Sequence, residues 1–387
     1  MAVDPFAPAR LGPLTLRNRV VKAATFEGST PNGQVTDRLV DFHAAVARGG
    51  AALTTVAYCA VSPNGRVHRH CMVLDDRTAS DLRRLTDVVH AEGAAASAQL
   101  GHAGLVADAK SNGMRSLAPS RRFSPPAKGV VPAATPADLE RVRGDFARAA
   151  RCAVDAGFDA VEVHLGHGYL LSSFLSPKLN KRSDGYGGEL ANRARFAREV
   201  LRDVRAAVGR DRAVTVKLNM TDGVAGGFWV EESVRVARML QDDGDIDAIE
   251  LTGGSSLENA MYFFRGEVPL AEMLQTQPAY VRPMMRLLAP KLFPRYPFEE
   301  AFFLPYSRQF REALDLPLIY LGGVNRLDTI ETVLEEGFDF VAVGRALLRE
   351  PDLIRTFETA KRTEGLCVHC NKCMPTIYSG TRCVLND

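Results

Sequence analysis

The stretch His164-Leu165-Gly166-His167-Gly168-Tyr169-Leu170-Leu171-Ser172-Ser173-Phe174-Leu175-Ser176-Pro177 decides how this chain is read. Ala160-Val161-Glu162-Val163 precedes it, and Asn180, Arg182, Asp184 and Tyr186-Gly187-Gly188 follow. The preceding run is short and mostly apolar, the mark of a strand buried on both faces of a parallel sheet. Two imidazoles and a phenol therefore stand where a strand ends and a loop begins. In a parallel barrel, that end is where active sites are assembled. Two imidazoles can hold a developing oxyanion, and a phenol can deliver a proton. Either histidine alone could be a satisfied core residue. The three together predict a site, because apolar barrel layers offer such polar groups no partners.

Outward from this stretch, short apolar runs alternate with helical patterns. The candidate strands are Val20–Ala24, Ala52–Ala57, Ala94–Leu100, Ala160–His164, Ala213–Asn219, Ala248–Thr252, Pro317–Gly322 and Phe340–Gly344. Eight strands with intervening helices predict an α/β fold of the (β/α)8 TIM-barrel type. A doubly wound sheet is the competitor. It would carry a glycine-rich dinucleotide turn after an early strand, and no G-x-G-x-x-G occurs. One helix shows the local logic. Thr135-Pro136-Ala137-Asp138 supplies an N-cap, a first-turn proline and an acid at the positive end of the dipole. Leu139, Val142, Phe146, Ala149 and Ala153 follow at helical spacing, and Gly157 stops the helix before the histidine-bearing strand. Further helices are predicted over Asp37–Arg48, Ala79–Glu92, Asn192–Val208, Trp229–Asp242, Arg326–Glu336 and Arg349–Thr363.

Two stretches interrupt the alternation. Ser111–Pro132, rich in Ser, Pro and Arg, predicts a long surface loop. Gly253–Pro305 is a larger insertion after the sixth strand. In it Met261, Phe263, Phe264, Met284, Met285, Leu287, Leu288, Leu292 and Phe293 are interleaved with Arg282, Arg286, Lys291 and Arg295. A segment both apolar and basic suits a packed excursion over the barrel, a lid, a subunit contact in an oligomer, or a helix on a membrane surface. The barrel is assigned to residues 1–363 and a Cys-rich tail to residues 364–387.

The 387 residues suffice for a large core, and 46% hydrophobic with 24% charged residues is ordinary for a globular protein. A net charge of +2 leaves no electrostatic footprint for nucleic acid. No apolar run approaches the roughly 20 residues that span a bilayer. Residues 1–19 lack the basic-then-apolar layout of an export signal, so a cytoplasmic location is expected. Cys59, Cys71 and Cys152 are scattered, whereas Cys367, Cys370, Cys373 and Cys383 crowd together. Clustered cysteines in a cytosolic chain point to a metal before disulfides.

The stretch from His164 to Gly188 closely resembles the old yellow enzyme family of FMN-dependent oxidoreductases. The resemblance extends to Asn18-Arg19-Val20, Ser62-Pro63-Asn64-Gly65-Arg66, Gln99-Leu100-Gly101-His102-Ala103-Gly104 and Gly344-Arg345, and covers nearly the whole chain ahead of the tail. It implies a (β/α)8 enzyme that passes hydride from NADH or NADPH, through FMN, to the activated C=C bond of an α,β-unsaturated carbonyl compound. It also implies roles. His164 and His167 would donate to the carbonyl oxygen and Tyr169 would protonate the product. Ala23, Ala24 and Thr25 would bring backbone donors to the flavin edge, Tyr58 would lie against the ring, and Gln99 would bond its pyrimidine part. Lys217 would stabilise the anionic reduced flavin. Gly322, Gly323, Gly344 and Arg345 would receive the phosphate. The nicotinamide would take the substrate's place in turn, which agrees with the missing dinucleotide fingerprint.

The chain also departs from that pattern. Phe26 stands where a flavin-tuning Cys or Thr is common, Tyr58 where a small residue is usual, and Lys217 where arginine is commoner, which keeps the charge but loses the planar fork. His102 and the insertion are expected to shape selectivity. Cys367-x2-Cys370-x2-Cys373-x9-Cys383 is similar to the four-cysteine [4Fe–4S] site of multidomain relatives such as dienoyl-CoA reductase and trimethylamine dehydrogenase, with a shorter final spacing. Close-set thiolates suit a cluster or zinc. Three functions stay open at this level. One is an ene-reductase that uses NAD(P)H directly on a small electrophilic alkene. Another is an iron–sulfur flavoprotein of the dienoyl-CoA reductase or amine dehydrogenase type, fed by an external electron-donor protein. The third is a non-catalytic binding or electron-carrier module.

Overall fold

Eight parallel strands close into a barrel in this computed structural model, which describes residues 3–386. They are β1 Val20–Lys22, β2 Leu53–Ala60, β3 Ala95–Gly101, β4 Ala160–Leu165, β5 Ala213–Asn219, β6 Ala248–Thr252, β7 Leu318–Leu321 and β8 Phe340–Val343. Each pairs with its chain neighbours, and β8 closes onto β1. Nearly every strand residue is buried, which is why the runs are continuous rather than alternating in polarity. The principal outer helices are α1 Asp37–Arg48, α2 Asp76–Ala91, α3 Pro136–Asp155, α4 Leu190–Val208, α5 Val230–Asp243, α6 Leu304–Ala313, α7 Leu327–Glu335 and α8 Leu353–Glu358. The (β/α)8 expectation holds.

A short antiparallel hairpin, Ala9–Leu11 with Leu14–Leu16, plugs the N-terminal end of the barrel. Its Leu11 and Leu16 cluster with Ala52, Leu53, Ala160, Ala213, Ala248 and Phe340 at the strand starts. That end is sealed with apolar contacts, and the C-terminal ends are left for chemistry. The loop after β4 is fixed by its own motif. Asn180 donates to the carbonyls of Phe174 at 2.8 Å and Tyr186 at 2.7 Å. Arg182 donates to those of Pro119 at 3.0 Å and Ala134 at 2.8 Å. These residues are structural ties rather than site groups.

Three expectations need correction. Helix α2 begins three residues earlier than Ala79, because Asp75 and Thr78 form a capping box. The stretch Ser111–Pro132 is not a plain loop. It starts inside the helical turn Ala109–Asn112 and holds an antiparallel hairpin, Arg122–Ser124 with Gly129–Val131. The predicted helix Arg349–Thr363 is instead two pieces, Arg345–Arg349 and α8, with Pro351 between them. The insertion folds into Met261–Phe264, Leu270–Gln275 and Arg282–Leu292, and its far end buries Phe302 and Phe303 in the main core.

Helix α3 starts at the capping box of Thr135 and Asp138, and its apolar stripe is buried as its spacing requires. Phe146 is wholly enclosed there. Phe146→Ala is expected to lower the unfolding free energy by about 3–5 kcal/mol, seen as an earlier midpoint in urea with an unchanged slope.

Candidate active site

His164 lies on β4 and shares its inward face with Glu162, two residues back. His167 adopts a left-handed backbone, with φ of 61°. The Asn219 side chain accepts from its amide at 3.1 Å, and its Nε2 lies 3.0 Å from the Thr252 hydroxyl. The two imidazoles are 5.0 Å apart between centroids, and the Tyr169 ring stands edge-on to His164 at 4.8 Å. The three residues named from sequence are brought together. Phe263, from the insertion, stacks on His167 at 4.6 Å. Tyr58 meets Tyr169 edge-on at 5.4 Å. Tyr58 fits there because Gly101 has no Cβ, which would stand 2.4 Å from the phenol ring.

Burial drives both histidines to the neutral form. It lowers the His167 pKa to about 3, with the Lys217 ammonium adding to the effect. His164 is held well below its ordinary value by burial, then by His167 and Lys217. At neutral pH the pair are therefore hydrogen-bonding groups without charge.

Beneath them lies a buried polar layer that sequence reading missed in part. Gln99 donates to Glu162 at 2.6 Å. Lys217 pairs with Glu162 at 3.3 Å and, more closely, with Glu250. Strand register makes this possible, since Gln99 lies opposite Glu162 and Lys217 opposite Glu250. Burial works to lower the Lys217 pKa, but the two carboxylates outweigh it and hold the ammonium above its usual range. Burial pushes Glu250 up to about 8 against the pull of Lys217, with Glu162 adding to the rise. A bound proton there relieves two carboxylates facing one cation. A lone Glu inside each strand pattern was the only sequence signal of this layer.

One cavity of about 460 Å³ opens over this layer. Its lining includes His164, His167 and Tyr169, and also Ala23, Ala24, Thr25, Tyr58, Gln99, Lys217, Gly322, Gly323, Gly344 and Arg345. FMN fits the donor set present. The Nδ1 of His164 is buried with no partner among the described residues, a polar atom left over for a bound group. Gly322 and Gly323 have a second reason to be glycine, since a Cβ on either would strike Phe303 or Phe302. Sequence reading missed the aromatic wall of Phe263, Phe264, Phe298, Phe302 and Phe303, and also His68. The Phe263-Phe264 pair was visible as apolar, but nothing local placed it over the barrel. His102 does not reach the cavity. It is a buried core residue whose Nδ1 accepts from the Gly104 amide at 3.2 Å.

The tail forms part of the same wall, through His369, Cys373, Met374, Ile377 and Thr381. It is tied to the loop after β1 by the Thr381 amide, which donates to the Glu27 carbonyl at 2.7 Å. Cys367, Cys370, Cys373 and Cys383 all line one small void that Arg345 shares with the main cavity. Among the described residues, no three His, Cys, Asp or Glu side chains are gathered as a site for a single metal ion.

The model of the NADH:flavin oxidoreductase / NADH oxidase family matches residues 4–258. A 4,4'-dithiodibutanoate disulfide reductase of Rhodococcus erythropolis is 64% identical over 382 residues, covering 99% of this chain and 95% of that protein. A multifunctional alkene reductase/demethylase OYE of Caballeronia cordobensis is 30% identical, covering 95% of this chain and 50% of that protein. The structure of a 2-naphthoyl-CoA reductase with 2-naphthoyl-CoA superposes with a TM-score of 0.79 at 25% identity, over 92% of this chain and 52% of the other. The chain thus spans about half the length of the last two.

The raised Glu250 pKa has a sign. Between roughly pH 4.5 and pH 8 the folded chain keeps a proton that the unfolded chain gives up, so this group's stabilising effect fades as pH rises through that window. Glu250→Gln is expected to flatten the fall in unfolding free energy from about pH 5 to about pH 8, compared with the parent in urea titrations at both ends.

Proposed function

The chain belongs to the NADH:flavin oxidoreductase / NADH oxidase family, and we propose that within it the protein reduces small organic disulfides, with a second capacity for activated alkenes. FMN is its cofactor and NAD(P)H its reductant. The convergence of His164, His167 and Tyr169 in one enclosed cavity carries the chemistry. The 64% identical disulfide reductase supports the acceptor class.

When bound, FMN supplies hydride accepting and donating chemistry, taking electrons from the nicotinamide and passing them on. The chain's residues do the rest. Ala23, Ala24, Thr25, Tyr58 and Gln99 would line the flavin ring, and Lys217 would offset the charge of its reduced form. Gly322, Gly323, Gly344 and Arg345 would hold the phosphate. His164 and His167, both neutral, hydrogen-bond the acceptor atom on which negative charge develops. That atom is sulfur in a disulfide and oxygen in an enone. Tyr169 delivers a proton to the departing thiolate or to the enolate carbon. For a disulfide the balance is two electrons and two protons in, two thiols out. The aromatic wall keeps water from the reacting atoms. The paired imidazoles specifically favour the alkene reading as the second capacity, since two donors suit one carbonyl oxygen.

We assign the four tail cysteines to a [4Fe–4S] cluster rather than zinc. All four line one small void, and close-set thiolates are the ligands such a cluster takes. Such a cluster would open the site to an external electron-donor protein.

Four measurements test these readings. After anaerobic reduction with NADH or NADPH, 4,4'-dithiodibutanoate should reoxidise the flavin and release two thiols per flavin, faster than 2-cyclohexenone does. If neither acceptor reoxidises it, both readings fail. Tyr169→Phe should slow the acceptor step by on the order of 10²-fold, and His164→Ala by on the order of 10²–10³-fold, with flavin reduction by NAD(P)H largely kept in Tyr169→Phe. The acceptor step should show no histidine titration between about pH 5 and pH 8, as the low His167 pKa requires. Protein purified without oxygen should contain iron and acid-labile sulfide that Cys370→Ala abolishes. Zinc without iron would reject the cluster.

A further inference from the structure

We propose that the helix Arg282–Leu292 is a docking surface for an anionic membrane face, on which it lies flat. The helix is attached to the protein by little: Ala289 is its one fully buried residue. Its apolar side chains are turned the other way. Leu287 is 80% exposed, Met284 60%, Leu292 45% and Leu288 41%, and Tyr280 just ahead of the helix is 85% exposed. Their spacings of three, four and seven residues put them on one stripe. An amphipathic helix normally spends that stripe on its own core, so a stripe facing solvent marks a binding face.

The charge around the stripe selects the occupant. Residues 273–298 hold Arg282, Arg286, Lys291 and Arg295 and not one Asp or Glu. None of these four cations has a carboxylate partner among the described residues, although ion pairs are plentiful elsewhere on the surface. A second copy of this chain is a poor match. Pairing the stripe with itself would set these cations against their own copies with no acid between them. An 11-residue helix also offers far less than the roughly 800 Å² per partner of a stable interface. A lipid surface with anionic headgroups supplies both what the leucines need and what the arginines need. The helix would lie in the interface rather than cross it, and among the described residues no helix is long and apolar enough to cross a membrane. The Leu270–Gln275 helix next to it is linked to the cysteine tail by Glu272 and Lys372 at 2.9 Å, so docking would hold the cavity's outer wall at the lipid surface.

Purified FMN-loaded protein, sedimented with vesicles, tests this. It should pellet with phosphatidylglycerol–phosphatidylcholine vesicles at low salt, stay in solution with phosphatidylcholine alone, and be released by high salt. The double change Leu287→Glu and Leu288→Glu should weaken that binding by about tenfold or more and leave flavin content and NAD(P)H oxidation unchanged. Arg286→Glu should weaken it by about fivefold or more through charge alone. Failure to pellet with anionic vesicles, or equal pelleting of parent and variants, overturns the proposal. So does a parent protein that light scattering shows to be a dimer and the double variant a monomer, which would give the stripe to a second copy.

Discussion

A buried ammonium organises this protein. Lys217 has no water to solvate it, and it survives only because Glu162 and Glu250 lie against it. Removing both would leave an uncompensated ammonium in a buried layer, a loss far larger than any surface ion pair supplies. The barrel provides those partners by register alone. Glu250 is opposite Lys217 across one strand pair, and Gln99 is opposite Glu162 across another. A slip of one residue in any of these strands would turn its polar side chain outward and an apolar one into the layer. The same ammonium then acts upward. Burial makes His164 and His167 neutral, and this ammonium adds to the effect at both. Under the proposed function it would also offset the negative charge of a reduced flavin. Fold specification and site electrostatics meet in one side chain.

How much of this was legible in the letters follows from how local each cause is. The barrel was legible because each strand is an apolar run bounded by turn residues, and each boundary is set within a few positions, as with Thr135 and Asp138 at the head of α3. The histidines and Tyr169 were legible because a strand end in a parallel barrel has a known direction. The residues assigned to the flavin through family resemblance all line the one cavity, although they come from six different strands or strand ends. What was not legible depends on distant packing. Nothing near Phe263 says that it will stack on His167, and nothing near His102 says that it will turn inward. Asp75 was overlooked as a cap because the apolar pattern of α2 begins later than its hydrogen bonds do.

The tail and the insertion share a physical logic. Both leave the barrel after its later strands and return to wall the cavity, the insertion with its phenylalanines and the tail with Cys373, Met374 and Ile377. They also touch each other. Arg345 reaches the Asn371 side chain and the Arg265 carbonyl together, and His369 stacks face to face on Phe298. The side chain assigned to phosphate is thus held by the loop that carries the cysteines. A change in that loop would be felt in the cavity through a hydrogen bond rather than through a long relay.

The breadth of acceptor proposed above would follow from these parts. Neutral donors with a phenol beside them respond to where charge develops, and that atom can be the sulfur of a disulfide or the oxygen of an enone. Discrimination then falls to the walls, because an apolar surface separates substrates by shape and by what must be desolvated. Those walls are the parts of the chain outside the barrel repeat, and they can vary without disturbing Lys217 and its carboxylates. One relative, 64% identical, is a disulfide reductase and another, 30% identical, is an alkene reductase and demethylase, which agrees with walls that decide the acceptor. In this chain the buried charge is the structural constraint, and the walls that would choose substrates are built on top of it.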